Sequence, residues 1–257
     1  MIPSGEDDFT VTSYLYPRFP SGLLAFSRNK ISLMKLRSYY LSLEKNKSPF
    51  HMNYLCLCWG VPAAEKNEID RFLVSFFNLD KDINDIAGIL YKVPDNIRSI
   101  SKVKRGEQQT KFIGHETIGK SDKFKKACLV KVQTKSTMRN LIELYLVHQG
   151  TQLIGEFYQS SRLLHDGKNT ILLPPLNMRT DSPISPELAQ ALGSSTIRRE
   201  DLALLRHSQS LPVPGLALKD QEYYLKDGTR YEEYIDHKGR YKGLIFHSEI
   251  PQHFENK

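Results

Sequence analysis

The alternation of apolar and polar residues predicts a helical first part of the chain and a β-rich second part. Residues 31–43 carry apolar side chains at three- and four-residue spacing, which predicts an amphipathic helix. Residues 63–78 and 81–91 repeat this spacing and predict two more helices. The apolar run over residues 50–59 is short enough for one buried strand between them.

After residue 128 the pattern changes to short alternating runs separated by turn residues. Asp227-Gly228 is typical of a tight hairpin turn, so the chain is expected to close with paired antiparallel strands. The predicted strands are 128–135, 140–148, 151–158, 170–173, 223–226, 229–235 and 241–247, and the predicted helices of this half are 186–192 and 197–207. The predicted fold class is therefore α+β, with a helical N-terminal half and an antiparallel sheet with hairpins in the C-terminal half.

Three regions follow from these patterns. Residues 1–97 form a mostly helical N-terminal region, and residues 98–127 form a basic segment rich in loops. Residues 128–257 form an antiparallel β domain with an inserted helix pair, and the three regions are also compatible with one continuous domain.

Composition narrows the class of protein. The chain has 257 residues, 40% of them hydrophobic and 25% charged, as expected of a globular protein. No apolar run reaches the roughly 20 residues that span a bilayer. The acidic first residues do not resemble a secretory signal. Three cysteines are too few for a disulfide framework. These features favour the cytoplasm, although a secreted effector with an unrecognised export signal would look the same.

The positive charge of the chain is concentrated in one segment. The net charge is +7, and residues 98–135 contain eleven Lys and Arg against three Asp and Glu. A local excess of one sign attracts polyanions such as nucleic acid. Lys123, Lys125 and Lys126 are the densest group in this segment and are candidate phosphate contacts. A solvated loop that keeps the protein soluble is the other interpretation.

Residues 185–206 resemble a helix-turn-helix motif. Ala189 and Gly193 suit the close crossing of two helices, and Arg198 and Arg199 would lie at the start of the second helix, where side chains reach bases and phosphates. Arg230, in the hairpin that follows, is a further candidate contact. These features predict a nucleic-acid-binding, specifically DNA-binding, protein that acts as a regulator or accessory factor. An ordinary pair of short helices would show the same pattern.

The alternative hypothesis is an enzyme with a pocket in the β half. His247 and Glu249 share a face if the last strand continues, and His with Glu is a common acid–base pair. His237 and His253 lie near enough in sequence to suggest a divalent metal, but neither the zinc deaminase signature nor an HExxH helix is present, so no metal or other cofactor is assigned. A nuclease is one such enzyme.

Two further patterns bear on the enzyme hypothesis. Residues 114–121 fit the G-x-x-x-x-G-K-[ST] pattern of a phosphate-binding loop, which would make the chain a nucleotide-using enzyme. The paired hairpins and the late Glu249 are similar to chorismate-lyase-like domains, but Arg139 is out of register, so no site residues are transferred. A third hypothesis is a non-catalytic interaction module, and the sequence does not define an oligomeric state.

Overall fold

The structure is a computed structural model that describes residues 10–11, 21–23, 26–27, 30–45, 52–78, 86–94, 108–138, 140–156, 158–166, 169–177, 184–193, 202–214, 230–235 and 241–250. In chain order the strands are β1 (Thr10–Val11), β2 (Ser21–Gly22), β3 (Phe26–Ser27), β4 (Met52–Trp59), β5 (Lys66–Asn78), β6 (Ile86–Lys92), β7 (Gln108–Lys120), β8 (Ala127–Thr134), β9 (Gln152–Leu153), β10 (Leu163–Asp166), β11 (Asn169–Leu172), β12 (Arg206–Pro214), β13 (Arg230–Ile235) and β14 (Tyr241–His247). The helices are α1 (Lys30–Lys45), α2 (Leu141–His148) and α3 (Pro186–Ala191), with 3₁₀ turns at Gln159–Arg162 and Pro175–Asn177.

One ten-stranded sheet organises the described chain. Eight strands lie in the order β13-β14-β12-β4-β8-β7-β5-β6, while β9 adds to β4 and β2 adds to β12. The pairings are antiparallel apart from that of β2 with β12, which is parallel. The sheet therefore joins strands from both ends of the sequence, and β4 and β12 lie near its middle.

Two helices cover the same face of this sheet. Tyr40 and Leu43 of α1 pack with Met52 at the start of β4, whereas α2 packs with Cys56 and Cys58 further along the same strand. Side chains two residues apart on a strand share a face, so these three β4 residues point the same way. The two helices thus lie over successive parts of β4, and Tyr54 belongs to the packing of both clusters.

The predicted fold class is wrong, because the first half of the chain is mainly strand. Residues predicted as two helices form β5 and β6, which pair with each other, and β5 pairs with β7 on its other side. The apolar spacing in β5 resembles that of a helix, but Phe72 and Val74 are buried as alternate residues of a strand. Aromatic and β-branched residues favour that pairing, and sheet contacts on both sides override the apparent helical period. Only α1 of the three predicted N-terminal helices is a helix.

The opposite error affects the predicted strand at residues 140–148. This segment is α2, and Leu141 to Val147 are all buried. An apolar run that is buried on every side has no polar face, so its period does not distinguish a helix from a strand.

The C-terminal hairpin is confirmed, because β13 and β14 pair antiparallel from Arg230 opposite His247 to Ile235 opposite Tyr241. The predicted strand at 223–226 lies outside the described residues. Among the described residues no helix is long and apolar enough to cross a membrane.

Candidate functional site

A polar cluster lies on the helix-covered face of the sheet, around Tyr54 of β4, which packs against both helix clusters. It consists of Tyr54 on β4, Glu143 on α2, Arg206 at the start of β12 and Asn140, the residue before α2, and it is called the α2 cluster below. Arg206 is the register partner of Cys56, two residues from Tyr54, so Tyr54 and Arg206 project from adjacent strands on one face. The guanidinium carbon of Arg206 is 5.6 Å from the centre of the Tyr54 ring, within the range of a cation–π contact.

Arg206 and Glu143 form a buried ion pair. Nη1 of Arg206 donates to Oε1 of Glu143 across 2.5 Å, and the two side chains are 12% and 1% exposed. Within the described part of the chain, Oε2 of Glu143 is buried and has no hydrogen-bond partner. A buried polar atom without a partner costs about 1–3 kcal/mol, so this oxygen points to a ligand or to stored strain.

Asn140, three residues before Glu143, also has a buried side-chain oxygen without a partner among the described residues. It is the residue before the helix and has φ 62°, the one positive φ found among the described non-glycine residues. Its side chain does not cap the helix, and its Oδ1 is buried with no partner among the described residues. Strained backbone of this kind is concentrated at functional sites, because the surrounding structure must stabilise it.

Glu156 adds a titratable group beside the cluster. Burial raises the pKa of its carboxyl group to about 7; the backbone N–H groups of Gln159 and Ser160 oppose this rise, and the charge of Glu143 adds to it. Its two oxygens accept those N–H groups at 2.7 and 2.9 Å, so Glu156 caps the first 3₁₀ turn. A group that changes protonation near neutral pH can also serve as an acid or a base.

A second polar group lies on the opposite face of β12. His207 follows Arg206 directly and therefore points away from the α2 cluster. Nδ1 of His207 is 3.0 Å from Oγ of Ser21, and Nε2 is 2.7 Å from Oγ of Ser248. His207 is 2% exposed, so a buried imidazole joins β2 to the residue that follows β14.

The residues predicted as the acid–base pair lie beside this second group without forming it. His247 ends β14 opposite Ser210, and Glu249 lies beyond the strand and is exposed. Ser248, between them, is the residue that contacts His207. His237 and His253 lie outside the described residues. No three His, Cys, Asp or Glu residues of the described ranges are close enough together to hold a metal ion.

The predicted nucleic-acid contacts that the structure describes lie on different elements. Lys123, Lys125 and Lys126 occupy the exposed turn between β7 and β8, where Lys126 pairs with Glu187 at 2.9 Å. Arg198 and Arg199 lie outside the described residues, and Arg230 begins β13.

The phosphate-binding-loop prediction is wrong. Residues 114–120 lie within β7, a strand paired with both β5 and β8, so their backbone N–H groups are not arranged as a loop around a phosphate. Lys120 forms an ion pair with Glu65 instead.

The sequence missed the residues that the structure brings together. Glu143 and Arg206 are 63 positions apart and were assigned to a strand and a helix respectively, so no local spacing connects them. One available signal was a single glutamate within the otherwise apolar run 141–147. A charge placed there must find a buried partner.

Comparison with known proteins gives fold similarity alone. No protein-family model matches the chain, and no curated protein does. The chain is similar to the solved structure titled Human RNA Pseudouridylate Synthase Domain Containing 4, with TM-score 0.48 and 13% identity over 90% of this chain and 68% of that one. It is also similar to the structure titled Human RNA Pseudouridylate Synthase Domain Containing 1, with TM-score 0.49 and 9% identity over 98% and 82%.

The prediction of a DNA-binding helix-turn-helix protein is wrong. The first helix is present as α3, but residues 202–205 are not helical and β12 begins at Arg206, where the second helix was expected to end. The predicted helix is therefore wrong over residues 202–207, and residues 194–201 lie outside the described residues.

Proposed function

We propose that this chain is an enzyme that acts on RNA, and that the α2 cluster holds an unpaired base of the substrate. The observation that carries the proposal is the buried Oε2 of Glu143, which has no partner among the described residues although it lies next to a guanidinium group. A base edge with a donor beside an acceptor would complete this arrangement.

Tyr54 and Arg206 supply surfaces for such a base. Sequence-specific RNA proteins commonly stack unpaired bases on aromatic rings or on the plane of an arginine. Tyr54 is half-buried, and Arg206 is more exposed than its partner Glu143. A base entering from solvent would therefore meet these two side chains before it reached Glu143.

Glu143 and Arg206 would then read the edge of the base. A carboxylate oxygen accepts a hydrogen bond and a guanidinium group donates one, so together they suit an edge that alternates donor and acceptor. Uracil presents N3–H next to its carbonyl oxygens and fits this pattern. Asn140, with its buried Oδ1, would supply a further acceptor at the start of α2.

The charge of the protein supports an anionic substrate. The sequence carries a net charge of +7, and Lys123, Lys125 and Lys126 are exposed on one turn. This turn joins β7 to β8 at the end of β4 that pairs with Ala127, a few residues along the sheet from Arg206. A strand rises roughly 3.3 Å per residue, so one RNA segment can reach both places.

Isomerisation of uridine to pseudouridine in RNA is the first activity to assay, because the titles of the similar structures name that reaction. Wild-type protein is incubated with single-stranded and structured RNA, and pseudouridine is quantified by nucleoside chromatography. We expect product with wild type and a fall of at least about 100-fold in Glu143→Gln and Arg206→Lys, as for loss of a positioned acid–base or charge-stabilising group.

Glu116→Gln is the matched control, because Glu116 is an exposed residue of β7 that pairs with Lys66 of β5. It should retain wild-type activity. Equal activity in wild type, Glu143→Gln and Arg206→Lys would remove the α2 cluster as the reaction site. Absence of binding to every RNA at low salt would contradict RNA as the substrate.

A further inference from the structure

The contacts of His207 define a serine with a base at hydrogen-bond distance. Ser21, on β2, approaches Nδ1 of His207, and Ser248 approaches Nε2 from the other side. We propose that Ser21 is a nucleophile activated by His207 and oriented by Ser248, and that this second site cleaves small carboxylic esters through an acyl-serine.

The hydrogen bonds determine which serine faces the basic nitrogen. Oγ of Ser248 lies 3.0 Å from the carbonyl oxygen of Ser208 and donates its proton there. Ser248 must then accept from Nε2–H of His207, which leaves Nδ1 as the acceptor for the hydroxyl of Ser21. This assignment satisfies all three contacts at once. The reverse assignment takes the proton of Ser248 away from the Ser208 carbonyl.

The backbone holds Ser21 in place. Gly22 has φ 97°, and a Cβ atom there would lie 2.3 Å from the carbonyl oxygen of Ser208, so only glycine fits this close approach. β2 runs parallel to β12 with Ser21 opposite His207, and the N–H of Leu23 donates to the Ser208 carbonyl. Ser21 itself keeps partial exposure, whereas His207 is buried. The nucleophile is therefore reachable while its base is enclosed.

Each step of the reaction is balanced. Oγ of Ser21 forms a bond to the ester carbonyl carbon while Nδ1 of His207 takes the hydroxyl proton. The bond from that carbon to the alcohol oxygen breaks, and the leaving alkoxide receives the proton from His207. Water then repeats the sequence, which releases the carboxylic acid and restores the hydroxyl of Ser21. No metal or redox partner is required.

This site is independent of the α2 cluster. Arg206 and His207 are consecutive residues of β12 and point to opposite faces, so a substrate on one face does not contact the other group. Failure of RNA activity would leave the Ser21 site unaffected, and the converse also holds.

The test is covalent labelling of the full chain with a fluorophosphonate probe, followed by peptide mass spectrometry. The probe forms a phosphorus–oxygen bond at the nucleophile, loses fluoride and passes the serine proton to the base. We expect the label on Ser21 and none on Ser121, a half-buried control serine whose Oγ accepts from the backbone of Phe124. Ser21→Ala should lose the label.

Two further variants test the assigned roles. His207→Gln should slow labelling by at least about 100-fold, as for loss of a general base. Ser248→Ala should slow it, and Ser248→Thr, which keeps the hydroxyl, should restore it. Thr rescue distinguishes orientation of His207 from simple packing. If circular dichroism shows that His207→Gln does not fold, the comparison of Ser248→Ala with Ser248→Thr still tests the proposal. Absence of label on Ser21 in wild type, or equal labelling of wild type and Ser248→Ala, would overturn the proposal.

Discussion

Nη1 of Arg206 donates to Oε1 of Glu143 across 2.5 Å, so the first residue of β12 is tied to the first turn of α2 inside the protein. The pair fixes α2 over the sheet and places two complementary hydrogen-bonding groups beside Tyr54. Buried ion pairs of this kind contribute little net stability, because removing both charges from water costs about as much as their attraction returns. The pair is therefore weak evidence for a stabilising role.

Removing one charge of this pair should lower the free energy of unfolding far more than replacing both charged side chains with apolar ones. Arg206→Met leaves the carboxylate of Glu143 buried without its cation and should lower the free energy of unfolding by about 3–5 kcal/mol. The double variant Glu143→Met/Arg206→Met should recover most of that loss, since no charge remains buried. Urea denaturation of the wild type, both single variants and the double variant measures the coupling. Additive losses would contradict a direct pairing.

The three cysteines should be unreactive in the native protein. Cys56, Cys58 and Cys128 are each at most 1% exposed, and burial raises the pKa of the Cys56 thiol above its usual range. Thiolate is the reactive form, so both access and ionisation oppose modification of Cys56. The hydrogen bond with Cys58 lowers the pKa of the Cys128 thiol, so burial alone protects Cys128. A thiol reagent added to native protein should give no fast reaction, and the same sample in denaturant should titrate three thiols. Rapid native modification of any one of them would contradict the packing of β4 against β8.

His115 should make the protein less stable in mild acid. Burial lowers its pKa, and the neutral ring is held between Tyr145 and the carbonyl oxygen of Ala64. The unfolded chain therefore binds a proton at a higher pH than the folded one. The stability contribution is complete above the unfolded pKa of about 6.5 and is lost as the pH falls through the folded value. His115→Asn should show a smaller loss of unfolding free energy between pH 8 and pH 5 than the wild type. Equal losses would show that another group dominates this range.

The turn between β7 and β8 should contribute to RNA affinity through charge alone. Replacing Lys123 and Lys125 with Glu should weaken binding similarly across RNA sequences and reduce the salt dependence, because fewer counterions are released. Fluorescence anisotropy at several salt concentrations measures both effects. The single variant Lys123→Glu has Lys66→Glu on β5 as its charge-matched control, since each changes the net charge by the same amount. An unchanged salt slope in the turn variant would place the RNA elsewhere.

The sequence predicted an element correctly where the local order of apolar and polar residues determines its structure. The helix over residues 31–43 is present as α1 because its apolar spacing matches one packed face. The final hairpin forms as predicted, because β13 and β14 are neighbours in the sequence and are separated by turn-favouring residues. The buried strand at 50–59 is β4 for a similar reason: a short apolar run bounded by turn residues has few alternatives.

Errors occurred where tertiary contacts decide between structures of similar local preference. β5 has apolar residues with helical spacing, yet pairing with β6 and β7 makes it a strand. α2 is apolar throughout and carries no periodic signal of its own. The candidate site combines both problems, because Glu143 and Arg206 lie on elements whose types were exchanged in the prediction. His207 and its serines come from three distant positions, so no motif search connects them.

The most direct test of the RNA proposal is the affinity of Tyr54 variants for single-stranded RNA containing unpaired uridines. Tyr54→Phe keeps the ring, whereas Tyr54→Ala removes the stacking surface, which is worth about 1–3 kcal/mol per base. Measured by anisotropy at fixed salt, Tyr54→Phe should bind like the wild type and Tyr54→Ala should bind roughly 5- to 150-fold more weakly. Equal binding by all three proteins would show that no base rests on Tyr54, and the account of the α2 cluster would then be wrong.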